Sequence, residues 1–80
     1  MLNLFTKKGA ILTLKIEDMH CTSCAMSIDN TLEDLEGVYS SKTNYAKSIT
    51  IIRYEPNLLT SNFILNSISK LGYRANVLHD

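Results

Sequence analysis

Two cysteines three positions apart are the residues of this chain best suited to chemistry. Cys21 and Cys24 lie in the stretch DMHCTSCA and are the only cysteines in the sequence. Two thiols at this spacing can form a disulfide, exchange disulfides with a substrate, contribute to a zinc site or bind a soft metal ion. A disulfide between them would close a very short loop and would therefore stabilise the fold little.

The other three chemistries place different demands on the rest of the chain. Redox exchange by a CxxC pair is typical of a thioredoxin-type order of elements, usually with a proline near the pair, but the single proline, Pro56, ends a predicted strand. Structural zinc takes four protein ligands, whereas the two cysteines and His20 supply at most three nearby. Two thiolates suit a soft ion of low coordination number, Cu(I) above all. We therefore favour soft-metal binding and keep redox exchange and zinc as alternatives.

Six segments with regular hydrophobic patterns surround the pair. Residues 10–16 alternate apolar and polar side chains, as a half-buried strand does. Ile28, Leu32 and Leu35 follow helical spacing before Gly37. The full order is strand, helix, strand, strand, helix, strand, over residues 10–16, 23–37, 38–44, 48–54, 60–72 and 73–78, with Thr60 or Ser61 as the N-cap of the second helix.

This order predicts an α+β fold of the ferredoxin-like βαββαβ type, with two helices on one face of a four-stranded antiparallel sheet. We interpret residues 1–80 as a single domain with its core over about 10–78 and a leader over 1–9. The cysteine pair then lies at a strand-to-helix junction, where backbone N–H groups and the helix dipole favour an anion. Lowered pKa values are therefore predicted for both thiols.

Composition and charge exclude several kinds of partner. Eight basic and eight acidic residues give a net charge of zero, which argues against nucleic-acid binding. The sequence contains no apolar run near the ~18 residues of a membrane span, so no direct membrane insertion is predicted. Lys7, Lys8 and Gly9 interrupt the apolar N-terminus and no small-residue cleavage site follows, so we predict a cytosolic location.

The surface pattern leads to two further expectations. Ser41 and Thr43 make the second strand polar, which suits a sheet edge and predicts a thinner core there. The first helix is predicted to have an acidic outer face. The acidic residues of that face are Asp29, Glu33, Asp34 and Glu36.

The strand at residues 48–54 predicts an apolar patch. If its alternate residues Thr50, Ile52 and Tyr54 face the helices, then Ile49 and Ile51 face the open side of the sheet, and Ile11 can join them there. Such a patch can be a contact surface for another domain or for the N-terminal leader.

The motif Met19-x-Cys21-x-x-Cys24 in a βαββαβ chain resembles the heavy-metal-associated domain family, which includes copper chaperones, soluble domains of P-type metal ATPases and mercury-binding proteins. The similarity extends to CAMSIDNTLEDLEGV, SKTNYAKSITIIRYEP and ISKLGY, and covers about residues 12–78. Cys21 and Cys24 match the metal-binding cysteines of the family. Met19 matches a methionine that usually packs toward the core, although a thioether can also bind Cu(I).

The resemblance also assigns neighbours to the metal site. Tyr73 matches a position in the loop beside the metal, where a hydroxyl or ring edge would shield the ion. Asp18 stands where the family usually has glycine, and its carboxylate could add an oxygen ligand that suits zinc or cadmium. His20 could be a third ligand, but its position varies in the family and more often faces water. An exposed acid is likewise more often solvated than ligating.

The resemblance implies a cytosolic copper chaperone that is not an enzyme. It would bind Cu(I) and pass it by thiolate exchange to a copper-transporting P-type ATPase, as a monomer that can also share an ion between two molecules. One alternative is the N-terminal metal-binding domain of a copper- or zinc/cadmium-transporting P-type ATPase. Others are a Zn(II), Cd(II) or Hg(II) binder and, from a different class, a CxxC thiol–disulfide redox module.

Overall fold

The structure is a computed structural model that describes residues 9–79 of the chain. The predicted order of elements is confirmed. Apart from Gly9, the predicted leader lies outside the described residues. The elements are β1 (Ala10–Glu17), α1 (Thr22–Glu33), β2 (Val38–Asn44), β3 (Ile49–Tyr54), α2 (Ser61–Lys70) and β4 (Arg74–His79).

The four strands form one sheet in the order β2-β3-β1-β4, and every neighbouring pair is antiparallel. Both helices pack on the same face of this sheet, so the predicted ferredoxin-like architecture is confirmed. In the part of the chain that the structure describes, neither helix is long and apolar enough to cross a membrane.

The helix ends refine the predicted boundaries. The first helix stops at Glu33, and a turn carries the chain from there to Gly37 and into β2. The second helix begins after Thr60, whose hydroxyl oxygen accepts a hydrogen bond of 3.1 Å from the backbone N–H of Phe63. Thr60 is therefore the N-cap, because its side chain satisfies a donor that the first turn leaves without a partner.

The core consists of the side chains that alternate strands and helical stripes direct between the two layers. Each of these large apolar side chains stabilises the fold by about 1.5–3 kcal/mol relative to an exposed position. The buried cluster contains Leu12, Leu14 and Ile16 of β1, Ile52 and Tyr54 of β3, Ile28 and Leu32 of α1, and Ile64 and Ile68 of α2.

The other side of the sheet, the open face, has no helix over it among residues 9–79. Ile11 and Ile51 are 41% and 48% exposed there, while Thr50 is fully buried on the helix side. The predicted orientation of β1 and β3 is therefore confirmed. Contact between this face and the leader concerns residues outside the described range.

A partly buried polar cluster joins α1 to the edge strand β2. Asp29 Oδ1 accepts hydrogen bonds from Ser41 Oγ at 2.7 Å and Thr43 Oγ1 at 2.6 Å, and Asp29 Oδ2 accepts from Thr43 N at 3.0 Å. Because the single hydroxyl hydrogen of Thr43 is donated to Asp29, the hydroxyl of Thr50, 2.8 Å away, donates to Thr43. We call Asp29, Ser41, Thr43 and Thr50 the Asp29 cluster.

The Asp29 cluster changes two expectations. The predicted outer face is wrong for Asp29, which is half-buried and accepts the hydrogen bonds of the cluster. Glu33 is exposed as predicted, and its Oε2 accepts a hydrogen bond of 3.0 Å from Ser41 N. Asp34 and Glu36 are exposed as predicted. Ser41 is only 2% exposed, so the polar strand is a hydrogen-bonded edge rather than a gap in the core.

Asp29→Ala is expected to lower the free energy of unfolding by about 2–3 kcal/mol, because it removes a charged acceptor and leaves two hydroxyls and an N–H without their partner. Urea denaturation of the reduced, metal-free protein measures this change. The matched control is Asp34→Ala, an exposed position at which we expect a change within about 0.5 kcal/mol. Equal losses in the two variants would contradict a specific role for the Asp29 cluster.

Candidate metal centre

The two thiols lie side by side at the start of α1. Cys21 is the N-cap residue, with extended backbone angles of φ −163° and ψ 173°, and its carbonyl accepts a 3.1 Å hydrogen bond from Cys24 N. This first turn places the two Sγ atoms 3.8 Å apart. Both thiols are free, Cys21 exposed and Cys24 half-buried. A small ion can therefore reach both sulfurs from solvent.

The pairing of β1 with β4 brings a second loop to the cysteines. Glu17 pairs with Arg74, so the residues after β1 and the residues before β4 leave the sheet next to each other. Gly72 follows α2 with a positive φ of 99°, which glycine adopts without a Cβ clash, and turns the chain back toward β4. Tyr73 thereby reaches Cys24 and also packs against the core cluster.

The Tyr73 hydroxyl is the largest cause of a lowered pKa at Cys24. Its hydrogen bond to the sulfur, followed by backbone N–H groups of His20 and Cys21, holds the pKa of the Cys24 thiol at about 7, against an ordinary value of 9.0. Partial burial opposes this shift. The same hydrogen bond raises the pKa of Tyr73, because the phenol then donates to a thiolate. The predicted lowering is confirmed for Cys24, with a tertiary contact as its main cause.

Ser23 is a neighbour of the site that the sequence analysis missed. Its hydroxyl oxygen lies 2.8 Å from Cys21 Sγ, within hydrogen-bond distance. When Cys21 is a thiolate, Ser23 is the donor. The sequence contained one indication of this role, because a hydroxyl residue lies between two cysteines at the predicted start of a helix. Each sulfur thus has its own hydroxyl partner, Ser23 for Cys21 and Tyr73 for Cys24.

The remaining predicted neighbours occupy the loop between β1 and α1. Met19 is half-buried and packs against the core cluster, as the family resemblance implies. Asp18 and His20 are both exposed. Across residues 9–79 no three His, Cys, Asp or Glu side chains come together in a group that could hold a metal ion. The donor set that the described residues bring together is therefore the pair of thiols.

Asp18 has an unusual backbone conformation. Its φ of +74° lies in the left-handed region that favours glycine. Aspartate is among the few other residues that adopt this region with some regularity. This conformation gives a physical reason for the glycine that the family usually has at this position, and it makes the turn into the cysteine pair a strained one.

Comparison with known proteins supports the assignment that the motif suggested. A model of the heavy-metal-associated domain matches residues 13–74. Copper-transporting ATPase 2 of Rattus norvegicus is 30% identical over 66 residues, which is 82% of this chain and 4% of that protein. The chain therefore spans only a small part of the length of this relative.

Solved structures with similar sequences share the fold. The N-terminal domain of PacS from Synechocystis PCC6803 is 27% identical with a TM-score of 0.79, over 89% of this chain and 100% of that one. A structure described as "Crosstalk between Cu(I) and Zn(II) homeostasis" is 31% identical with a TM-score of 0.78, over 88% of this chain and 100% of that one.

Tyr73→Phe is expected to raise the pKa of the Cys24 thiol toward its ordinary value, because the largest stabilising hydrogen bond to the thiolate is lost. The pH dependence of alkylation of Cys24, in a Cys21→Ser background, measures this change. The pKa of Cys24 is lower in the folded chain than in the unfolded chain, so the thiolate also contributes to the free energy of unfolding. That contribution is complete above the pKa of the unfolded thiol and is lost as the pH falls through about 7. Tyr45→Phe, in the β2–β3 turn, is the control and should leave the pH profile of Cys24 alkylation unchanged. An unchanged profile in Tyr73→Phe would contradict the assigned hydrogen bond.

Asp18→Gly is expected to raise the free energy of unfolding by up to about 1 kcal/mol, because glycine adopts positive φ without the Cβ penalty. Asp18→Val should lower it by at least as much, since a β-branched side chain tolerates this conformation poorly. Urea denaturation of the reduced, metal-free protein gives both values. A glycine variant less stable than the parent chain would show that the aspartate side chain stabilises the loop.

Proposed function

The chain belongs to the heavy-metal-associated domain family, and on that premise we propose that it binds Cu(I) through Cys21 and Cys24 and passes the ion to a partner. The observation that carries this proposal is the pair of sulfurs 3.8 Å apart in a solvent-accessible turn, with no third His, Cys, Asp or Glu ligand gathered beside them among residues 9–79. Two thiolates form a soft, low-coordinate donor set, which suits Cu(I) better than zinc or a harder ion.

The distance between the sulfurs supports binding of one ion. Two metal–thiolate bonds of about 2.3 Å each span about 4.6 Å when they are collinear. The sulfurs would need to separate by less than about 1 Å from their 3.8 Å spacing to hold an ion in near-linear geometry. The side chain of Cys21 can make most of this movement, because it is exposed whereas Cys24 is half-buried.

Transfer would proceed by ligand exchange. A thiolate of the partner forms a third bond to the bound ion, and the bond to Cys21 then breaks because that side chain is the more exposed of the two. The bond to Cys24 breaks when a second partner thiolate replaces it. The Ser23 and Tyr73 hydroxyls offset the negative charge of two thiolates on one monovalent ion. No covalent change in a substrate is involved, so the domain itself is not an enzyme.

The partner is proposed to be a copper-transporting P-type ATPase in contact with the cytosol. The domain would act either as a separate chaperone or as the metal-binding domain of such a transporter. Support for this partner comes from the similarity to Copper-transporting ATPase 2, of which this chain spans 4% of the length. Zn(II), Cd(II) and Hg(II) are the competing cargoes, with Asp18 or His20 as the extra ligand.

Competition titration of the reduced protein with Cu(I) and Zn(II) tests the cargo. We expect tight one-to-one binding of Cu(I) in preference to Zn(II), and a loss of affinity in Cys21→Ser and Cys24→Ser larger than the 10–100-fold typical of residues outside the ligand shell. Asp18→Ala and His20→Ala are the matched controls and should change Cu(I) affinity less than about tenfold.

Two results would contradict the copper proposal. Tight binding of Zn(II) alone that Asp18→Ala or His20→Ala abolishes would establish a zinc site with a third ligand. Turnover of a disulfide substrate by the metal-free protein, lost in either cysteine variant, would favour the redox alternative.

A further inference from the structure

We propose that the open face of the sheet adsorbs to an anionic phospholipid surface. Three cross-strand rows of side chains from β1, β3 and β2 make up the part of this face away from β4. The rows are Ile11–Arg53–Ser40, Thr13–Ile51–Lys42 and Lys15–Ile49–Asn44. These nine positions combine apolar and basic side chains and include no acidic one, although the whole chain has no net charge. Glu17, the acid of β1 on the same side of the sheet, lies beside β4, where the Arg74 guanidinium is 3.9 Å from its carboxylate.

A shallow hollow occupies the part of this face beside the β2–β3 turn. Its volume is about 490 Å³, and its lining includes the apolar Ile49 and Ile51 and the basic Lys42 and Lys47. The Lys15 ammonium donates a 3.2 Å hydrogen bond to the Lys47 carbonyl, which ties the turn to β1. Two lysines next to apolar side chains can receive a lipid phosphate and the glycerol and first methylenes attached to it.

The two lysines that line this hollow favour lipid over protein as the partner. Lysine is depleted in protein–protein interfaces, where arginine and aromatic side chains are enriched. At a membrane surface, long lysine side chains keep the ammonium among the headgroups while their stems cover apolar area. The cytoplasmic leaflet is anionic and attracts basic side chains that approach within about a Debye length.

Charge segregation would orient the molecule on such a surface. The exposed acids Asp34 and Glu36 follow α1 in the helical layer, on the other side of the sheet from Lys42 and Lys47. Contact is at headgroup level, which agrees with the predicted absence of membrane insertion. Cys21 belongs to the helical layer at the end of β1, so adsorption through the open face leaves the metal centre accessible.

Co-sedimentation with vesicles tests this proposal. The reduced chain is mixed with vesicles of phosphatidylcholine and phosphatidylglycerol, and with vesicles of phosphatidylcholine alone. We expect partition into the anionic vesicles only, decreasing as salt is added. The same partition should be found for the Cys21→Ser/Cys24→Ser variant, so that failure here and failure of the copper proposal are distinguishable.

Matched variants localise the contact. Lys42→Glu and Lys47→Glu should each reduce partition at least about fivefold, the factor that corresponds to one lysine at an anionic surface. Lys70→Glu makes the same change of charge at the end of α2, in the helical layer, and should leave partition within about twofold. Ile51→Ser should weaken partition, whereas Leu58→Ser, at an exposed position after β3, should not. Circular dichroism verifies that each variant is folded.

Three results would overturn the proposal. The first is an absence of preference for anionic vesicles. The second is an equal loss in Lys42→Glu and Lys70→Glu, which would reflect overall charge rather than a defined face. The third is binding of an acidic, leucine-containing peptide to the open face, detected by chemical shift changes at Ile49 and Ile51, together with no binding to either kind of vesicle.

Discussion

Burial of one face of β1 is the constraint on which the rest of the structure depends. Leu12, Leu14 and Ile16 are at most 1% exposed, and they can be buried only if the chain folds a helix back over the sheet directly after this strand. The turn that does so contains the cysteine pair proposed to bind metal. The cysteine pair is thus placed at the end of a central strand by core packing worth several kcal/mol, rather than by contacts at the site itself.

The same packing makes the candidate metal centre asymmetric. Cys24 is half-buried and receives the Tyr73 hydroxyl from a distant part of the chain, whereas Cys21 is exposed and has only the local hydroxyl of Ser23 nearby. On the proposed function, one sulfur retains the ion while the other is available for exchange. This asymmetry depends on the pairing of β1 with β4, since that register brings the loop before β4 to the start of α1.

Polar and charged groups are distributed by layer. The Asp29 cluster occupies the junction of α1 and β2, where a core of this size would otherwise need apolar side chains, and its hydrogen bonds satisfy each buried hydroxyl. The basic side chains of Lys15 and Lys42 lie on the open face instead. A net charge of zero therefore conceals an uneven distribution of charge, because the exposed acids Asp34 and Glu36 lie in the helical layer.

The sequence by itself determined the element order, the face of β1 and β3 that is buried, and the position of both cysteines at a helix start. Periodicity carries this information because apolar spacing of two or of three to four residues is a local property. Only the tertiary structure decided that Tyr73 is the main cause of the lowered pKa of Cys24 and that Asp29 faces β2. Those contacts join residues far apart in the chain, so they depend on strand register and helix rotation, which the pattern of one segment cannot specify. The loop geometry at Asp18 belongs to the same class, because its positive φ is set by the turn that core packing imposes.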